Sequence, residues 1–151
     1  MKRLLGLLLV MGMVGCGIPV ARLEDKGAKI TKNEQGEVVE VHLNRKPIGW
    51  KRGQTPHPKI SDAGLADIKG LTKLKVLNLG GTNITDAGLV HLVGLTKLET
   101  LNLGGTQISD AGLVHLKGLT NLEKLDLAGA KVTSAGVTEF RQALPDCKII
   151  K

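Results

Sequence analysis

The chain has 151 residues and a formal net charge of +7. Charged residues make up 23% of it, and it contains two cysteines. This length suits a single domain, and two cysteines are too few for a disulfide framework. Because the basic residues are spread along the chain, they predict only weak attraction to anionic surfaces and indicate no nucleic-acid partner.

Residues 1–15 are built like an export signal. Lys2 and Arg3 precede an apolar run over 4–14, and the small Gly15 stands directly before Cys16. The apolar run is too short to form a permanent membrane-spanning helix. The segment therefore predicts an exported protein.

Residues 13–16, Met-Val-Gly-Cys, resemble the lipobox of bacterial lipoproteins. The resemblance implies that Cys16 is lipid-modified and becomes the new N-terminus, so that the protein is anchored in the bacterial cell envelope. Since Gly17 follows the cysteine, the resemblance implies the outer membrane, facing the periplasm, if the host is Gram-negative. The alternative is an ordinary secretory signal followed by a chance cysteine.

Residues 16–36 are predicted to be the lipidated cysteine and a polar tether, because 21–36 mixes both charges with few apolar side chains. The folded domain is predicted over 37–151. Its first strand is predicted over 38–43, where apolar and polar residues alternate. The first unit then carries an insert over 49–59 that the later units lack.

An internal repeat of 24 residues occupies 70–141. The segments 70–93 and 94–117 are identical at 19 of 24 positions, and 118–141 shares 10 of 24 with the second copy. A leucine-rich period of this length predicts a solenoid in which each unit buries the apolar face of its neighbour. The predicted fold is an α/β right-handed solenoid, with parallel strands on the concave face and helices on the convex face.

Each repeat can be divided into a strand, a turn and a helix. Leu77 and Leu79 alternate with Asn78 as in a strand with one buried face, and a glycine pair at 80–81 turns the chain. Thr85 is predicted to cap a helix, with Asp86 at the positive end of the helix dipole. Ser109 and Asp110 repeat this arrangement, and glycines at 94 and 118 are predicted to end the helices.

The C-terminal end is predicted to close the solenoid. A helix is expected over 135–144, Pro145 ends it, and a closing strand is expected over 147–150. Cys147 stands alone in this apolar strand, which favours a buried structural thiol over a redox or metal ligand.

The string over 77–89, Leu-Asn-Leu-Gly-Gly-Thr-Asn-Ile-Thr-Asp-Ala-Gly-Leu, resembles leucine-rich repeat proteins. It is similar to their ribonuclease-inhibitor-like and cysteine-containing F-box-type subclasses, and to short planctomycete-type bacterial lipoproteins with such repeats. The resemblance implies a non-enzymatic protein-protein interaction or scaffold module without a cofactor. It also implies, as an alternative, a substrate-recognition adaptor, although no F-box segment precedes the repeats.

Equivalent strand positions predict a polar strip on the concave face. One row holds His42, Asn78, Asn102 and Asp126, and a parallel row holds Glu40, Val76, Thr100 and Lys124. Neighbouring strands lie about 4.8 Å apart, so the rows should be continuous. They are the predicted binding surface for a protein or peptide of unknown identity, and the alternative is that they are solvated positions of the repeat template.

Two further candidates come from outside this strip. Trp50, Lys51 and Arg52 lie in the basic insert, which could contact an anionic polymer or lipid surface, or could fold back over the open end of the first repeat. His91 and His115 occupy equivalent positions on the convex face, where solvated copies are favoured over metal ligands. No pattern for a catalytic or metal site is found, so an enzyme is not predicted.

Overall fold

The computed structural model describes residues 17–43 and 60–151. The signal segment, Cys16 and the insert with Trp50, Lys51 and Arg52 lie outside these ranges. The elements are, in chain order, helix α1 (Gly17–Asp25), strands β1 (Lys29–Lys32) and β2 (Val38–His42), a 3-10 helix (Asp62–Asp67), strand β3 (Val76–Asn78), a 3-10 helix (Asp86–Leu92), strand β4 (Thr100–Asn102), helix α2 (Asp110–Leu113) with a 3-10 turn (Val114–Leu116), strand β5 (Lys124–Asp126), helix α3 (Ser134–Ala143) and strand β6 (Lys148–Ile150).

The strands form a six-stranded sheet in the order β1-β2-β3-β4-β5-β6. Strands β2 to β6 are parallel and keep one register, in which Leu77 pairs with Leu101 and Leu101 with Leu125. Only β1 runs antiparallel, pairing with β2. The predicted α/β leucine-rich solenoid with helices on the other side of a parallel sheet is thus confirmed.

Leucines from both sides of every repeat meet in one continuous core. Leu77 and Leu79 of the strand segment, and Leu89 and Leu92 of the following helix, are fully buried. Glycines with positive φ make the turns after strands β3, β4 and β5, at Gly81, Gly105 and Gly129, a conformation that residues with a Cβ atom rarely adopt. The leucines beneath these three-residue strands add burial to the hydrogen bonds of the sheet.

Buried threonines close the same turns. The hydroxyl of Thr82 donates to the carbonyl oxygen of Leu79 at 2.6 Å, and Thr106 donates to Leu103 at the same distance. Both threonines are buried, so each hydroxyl needs an acceptor within the protein, and the carbonyl oxygen three residues earlier provides it. The position at which many such repeats carry an asparagine is filled here by this shorter donor.

The predicted helix caps are corrected by the structure. Thr85 and Ser109 occupy the N-cap positions, but neither side chain accepts a cap hydrogen bond. Their hydroxyls instead donate to Asp62 and Asp86 of the preceding repeat, at 2.6 and 2.5 Å. Within 17–43 and 60–151, it is at the start of α3 that a threonine hydroxyl caps a helix, where Thr133 accepts from the Gly136 amide at 3.1 Å.

The expected helix-ending role of Gly94 and Gly118 is also wrong in its geometry. Neither glycine has a positive φ, because the segments before them are one to two turns of 3-10 or short α-helix. Such short segments need no left-handed residue to end them. The regular helix predicted over 135–144 is present as α3, Ser134–Ala143.

The polar tether predicted over 16–36 is wrong within the described residues. Helix α1 and strand β1, residues 17–32, pack on the first repeat and are called the N-terminal cap below. Val20 is 7% exposed and Leu23 is fully buried, and the ammonium group of Lys26 contacts Asp67 at 2.7 Å. The physical reason is that the first repeat has an apolar side with no preceding repeat to cover it.

At the other end, Phe140, Leu144 and Cys147 close the core. Cys147 is 5% exposed, so the expected buried thiol is confirmed. Over residues 17–43 and 60–151, the structure contains no helix with the length and apolar character needed to cross a membrane.

Candidate interaction surface

The two predicted polar rows lie in register on the outer face of the sheet. His42 pairs with Asn78, Asn78 with Asn102, and Asn102 with Asp126. The second row has the same continuity, from Glu40 through Val76 and Thr100 to Lys124. The alternate residues between the rows, such as Leu77 and Leu101, are fully buried. We call this surface the sheet strip.

The sheet strip is longer than the sequence alone predicts. Strand β1 adds Lys29 beside His42 and Thr31 beside Glu40, and strand β6 adds Lys148 beside Lys124 and Ile150 beside Asp126. The β6 residues could have been found by extending the 24-residue period past 141. The β1 residues had no such signal, because this strand precedes the repeats and runs in the opposite direction.

The two asparagines of the strip hold the turns at the ends of their strands. The Oδ1 atom of Asn78 accepts from the Gly80 amide at 3.0 Å, and that of Asn102 accepts from the Gly104 amide at 2.8 Å. A backbone N–H needs an acceptor, so these bonds fix which end of each side-chain amide faces the turn. The Nδ2 groups donate to no other described residue.

Asp126 makes the same turn contact, since its Oδ1 atom accepts from the Ala128 amide at 3.0 Å. One oxygen atom of each side chain therefore serves the turn of its own repeat, as the sequence-based alternative of a repeat template predicts. The remaining polar atoms of Asn78 and Asn102 are donors. The strip thus presents the Nδ2 groups of these two asparagines as hydrogen-bond donors at the centre of the sheet.

Charges of the strip are partly compensated within the described residues. The imidazole of His42 lies 3.9 Å from the carboxylate of Glu40. Lys124 and Lys148 pair directly across strands β5 and β6, where like charges oppose each other. Neither lysine forms an ion pair with another described residue, so this end of the strip favours a partner group with negative charge.

A shallow groove of about 500 Å³ lies beside the strip, where the chain enters strands β3 to β6. The carboxylate of Glu99 contacts the ammonium group of Lys75 at 2.7 Å in its wall. This contact raises the pKa of Lys75. The other lining residues are Lys97, Thr120, Asn121, Leu122, Glu123 and Asp146.

The helical side of the solenoid carries histidines, ion pairs and exposed valines. His91 and His115 are half-buried there. The equivalent positions of the adjacent units, 24 residues before and after, hold Asp67 and Glu139, which form ion pairs with Lys26 and Lys117. Among the described residues, no group of three or more potential ligand side chains could hold a metal ion. Val90, Val93 and Val114 are the large apolar side chains exposed on this side.

The pKa shifts of three described groups, Asp67, Cys147 and Glu37, arise from contacts or burial that stabilise the fold. Hydrogen bonding by Lys26 lowers the pKa of Asp67, against the raising effect of its burial. Burial raises the pKa of the Cys147 thiol, which disfavours the nucleophilic thiolate. The hydrogen bond from Asn33, and then the charge of Lys73, lower the pKa of Glu37.

These features define a short α/β solenoid with one long polar strip. The sequence matches the family model for leucine-rich repeats, two copies, over residues 72–115 and 96–137. This part of the chain is therefore built of leucine-rich repeats, and such repeats typically form protein-protein interaction modules.

A solved structure of an internalin agrees with this fold. An internalin, InlF, of Listeria monocytogenes is similar at 30% sequence identity with a TM-score of 0.50, over 57% of this chain and 24% of that protein. The chain therefore spans about a quarter of the length of this internalin. The PEPR1–AtPEP1 structure is similar at 15% identity with a TM-score of 0.42, over 80% of this chain and 19% of that one. No curated protein matches the sequence.

Proposed function

We propose that this protein is an envelope-anchored, non-enzymatic binding module that holds an extended protein or peptide segment on the sheet strip. The observation that supports this most directly is the unbroken register of the two rows across all six strands, in which only Val76 and Ile150 are apolar among the paired positions of the described residues. The leucine-rich repeat family supports it as well, since its members typically bind other proteins.

The polar groups of the strip limit the kind of partner segment that it can bind. The central Nδ2 groups of Asn78 and Asn102 suit acceptors such as peptide carbonyl groups. Lys124 and Lys148 suit an acidic side chain at the β6 end of the strip. We therefore propose a partner segment that offers backbone carbonyls along its length and a carboxylate toward one end.

The anchor in this proposal is lipidated Cys16. In the reaction, the Cys16 sulfur would displace a phosphoglycerol group from a glycerophospholipid, which forms a C–S bond, breaks a C–O bond and leaves the thiol proton with the phosphate group. Hydrolysis of the Gly15–Cys16 bond would then release the signal segment. The support for this step is the lipobox-like sequence 13–16 with the basic and apolar segments before it.

The experiment uses the full chain with a photoreactive amino acid placed at Thr100 of the strip or at Val114 of the helical side. Both sites belong to the same repeat, and Val114 is 57% exposed. A partner crosslinked in cell envelopes from Thr100, and not from Val114, is the expected result. Equal crosslinking from both sites, or crosslinking from Val114 alone, would contradict a partner on the strip.

Point variants then separate a true strip contact from a folding defect. Thr100→Arg and Lys124→Glu change side chains that make no turn contact, whereas changes at Asn78 would also remove its bond to Gly80. Val90→Arg on the helical side is the matched control, because Val90 is 45% exposed. We expect the strip variants to weaken binding by tenfold or more and the control to leave it unchanged.

A Trp50→Ala variant tests the competing proposal that the basic insert binds an anionic polymer or lipid surface. Binding through the insert should fall steeply with added salt, since it depends on exposed charges. Binding lost only in Trp50→Ala, with steep salt dependence, would place the function in the insert.

A further inference from the structure

We infer that the N-terminal cap holds the repeat domain directly at the membrane surface, with no free linker between the lipid and the folded core. This inference rests on the proposed lipidation of Cys16. Helix α1 begins at Gly17, and Val20, the fourth residue after Cys16, is already buried. Four residues span at most about 14 Å when fully extended, which limits the separation of the lipid from the core.

The cap is joined to the core by several independent contacts, so it does not serve as a linker itself. Leu23 is fully buried. Asp67 contacts Lys26 at 2.7 Å and Arg22 at 3.6 Å, and β1 pairs with β2 along its length. Releasing the cap would expose Leu23 and uncover the apolar side of the first repeat, both of which cost free energy.

Electrostatic attraction by residues 17–43 does not account for this placement. Residues 17–43 carry four lysines and arginines, at 22, 26, 29 and 32, and five carboxylates, at 24, 25, 34, 37 and 40. A segment with this balance is not drawn to an anionic lipid surface. The short connection to the lipid therefore sets the distance, and the distance should not depend on salt.

The location of the sheet strip follows from this attachment. Six strands spaced about 4.8 Å apart extend about 24 Å from β1 to β6. Because the connection of about 14 Å ends at Val20 of the cap, the whole strip lies within a few tens of ångströms of the bilayer. The partner is consequently a protein whose bound segment lies next to the same membrane.

The experiment places an environment-sensitive fluorophore on the lipidated full chain in vesicles of phosphatidylethanolamine and phosphatidylglycerol that contain a nitroxide-labelled lipid headgroup. Glu24→Cys puts the label on α1, and Lys131→Cys puts it in the loop before α3, both at exposed positions. Cys147 is buried and Cys16 would be blocked by its thioether. The matched control inserts 20 glycine and serine residues after Gly17, which adds a flexible connection of about 25 Å.

We expect quenching at least threefold stronger at Glu24→Cys than at Lys131→Cys, unchanged at high salt, and reduced at least twofold by the inserted linker. An acylated protein with equal quenching at both sites, or with no effect of the linker, would overturn the inference while leaving the proposed lipidation standing. Failure of the chain to incorporate labelled fatty acid would overturn both.

Discussion

Asp62 and Thr85 are joined across the boundary between two repeats by a pair of hydrogen bonds. The Thr85 amide donates to Oδ1 of Asp62 at 2.8 Å, and the Thr85 hydroxyl donates to Oδ2 at 2.6 Å. The same pair of bonds recurs between Asp86 and Ser109 and between Asp110 and Thr133, and this carboxylate ladder stabilises the stack. At the N-terminal end of the ladder, Lys26 of the cap lies in the equivalent place, with its Nζ 3.6 Å from where a Cβ of Gly64 would lie, but its ammonium group donates to Asp67 and cannot accept a hydrogen bond.

The central carboxylate of the ladder should be important for stability. Asp86→Ala removes the acceptor for both the amide and the hydroxyl of Ser109, so we expect a loss of about 1–3 kcal/mol in the free energy of unfolding. Urea unfolding measures this change. Glu123→Ala is the control, because the Glu123 side chain bonds to no other described residue, and it should change stability by less than about 0.5 kcal/mol.

A double substitution tests whether the two bonds act as a unit. Asp86→Ala combined with Ser109→Ala should cost less than the sum of the single changes, since each single change leaves a partner unsatisfied. Strict additivity would show that the ladder does not couple the repeats.

Substitution of a glycine beneath the ladder should destabilise the protein much more than substitution of a glycine at a repeat boundary. A Cβ atom at Gly112 would overlap Oδ1 of Asp86 and lie 3.0 Å from Leu89. Gly112→Ala should therefore destabilise the protein by about 1–3 kcal/mol. At Gly118 a Cβ atom would meet nothing within 4 Å, so Gly118→Ala should be neutral or slightly stabilising.

Thermal and urea unfolding of these two variants provide the comparison. Adding Asp86→Ala to Gly112→Ala should cost less than the separate effects predict, because the overlap disappears with the carboxylate. Equal stability of Gly112→Ala and Gly118→Ala would contradict the placement of the Asp86 side chain.

The N-terminal cap should loosen in acid. The hydrogen bond from Lys26 lowers the pKa of Asp67, so ionised Asp67 stabilises the cap at pH values above the ordinary aspartate pKa of about 3.9. This stabilisation is lost as the pH falls through the lowered pKa. Amide hydrogen exchange should show α1 and β1 losing protection before α3 when the pH falls from 6 to 3.

Asp67→Asn is the control for the acid response. This variant cannot ionise, so its cap should exchange faster at pH 6 and should show less change toward pH 3. An acid response of the cap that is the same in the variant would assign it to other carboxylates, such as Glu37, whose pKa is also lowered.

Cys147 should be inert in the folded protein. It is 5% exposed, and burial raises its pKa, so both access and thiolate content are low. In a Cys16→Ser background we expect an aromatic disulfide reagent to react at neutral pH at the rate of unfolding. A Lys151→Cys control should react at once, and equal rates at both sites would contradict the burial of Cys147.

The repeated part of this protein follows from the sequence by itself. The 24-residue period requires every strand to meet its equivalent, so the register of Leu77 with Leu101, the polar rows and the glycine turns can all be read from residue spacing. The buried position of Cys147 follows in the same way, because apolar alternation persists into β6. These features depend on local sequence patterns that recur in each repeat, so stacking the repeats places equivalent residues side by side.

Only the tertiary structure decided the N-terminal cap and the carboxylate ladder. The cap has mixed charge, so its local composition resembles a tether, and it is ordered by the open side of the first repeat, against which Val20 and Leu23 are buried. Asp86 suits a helix N-terminus equally well in sequence, yet its carboxylate bonds Ser109 of the next repeat. Contacts between residues 23 or 41 positions apart depend on stacking geometry, which no single repeat specifies.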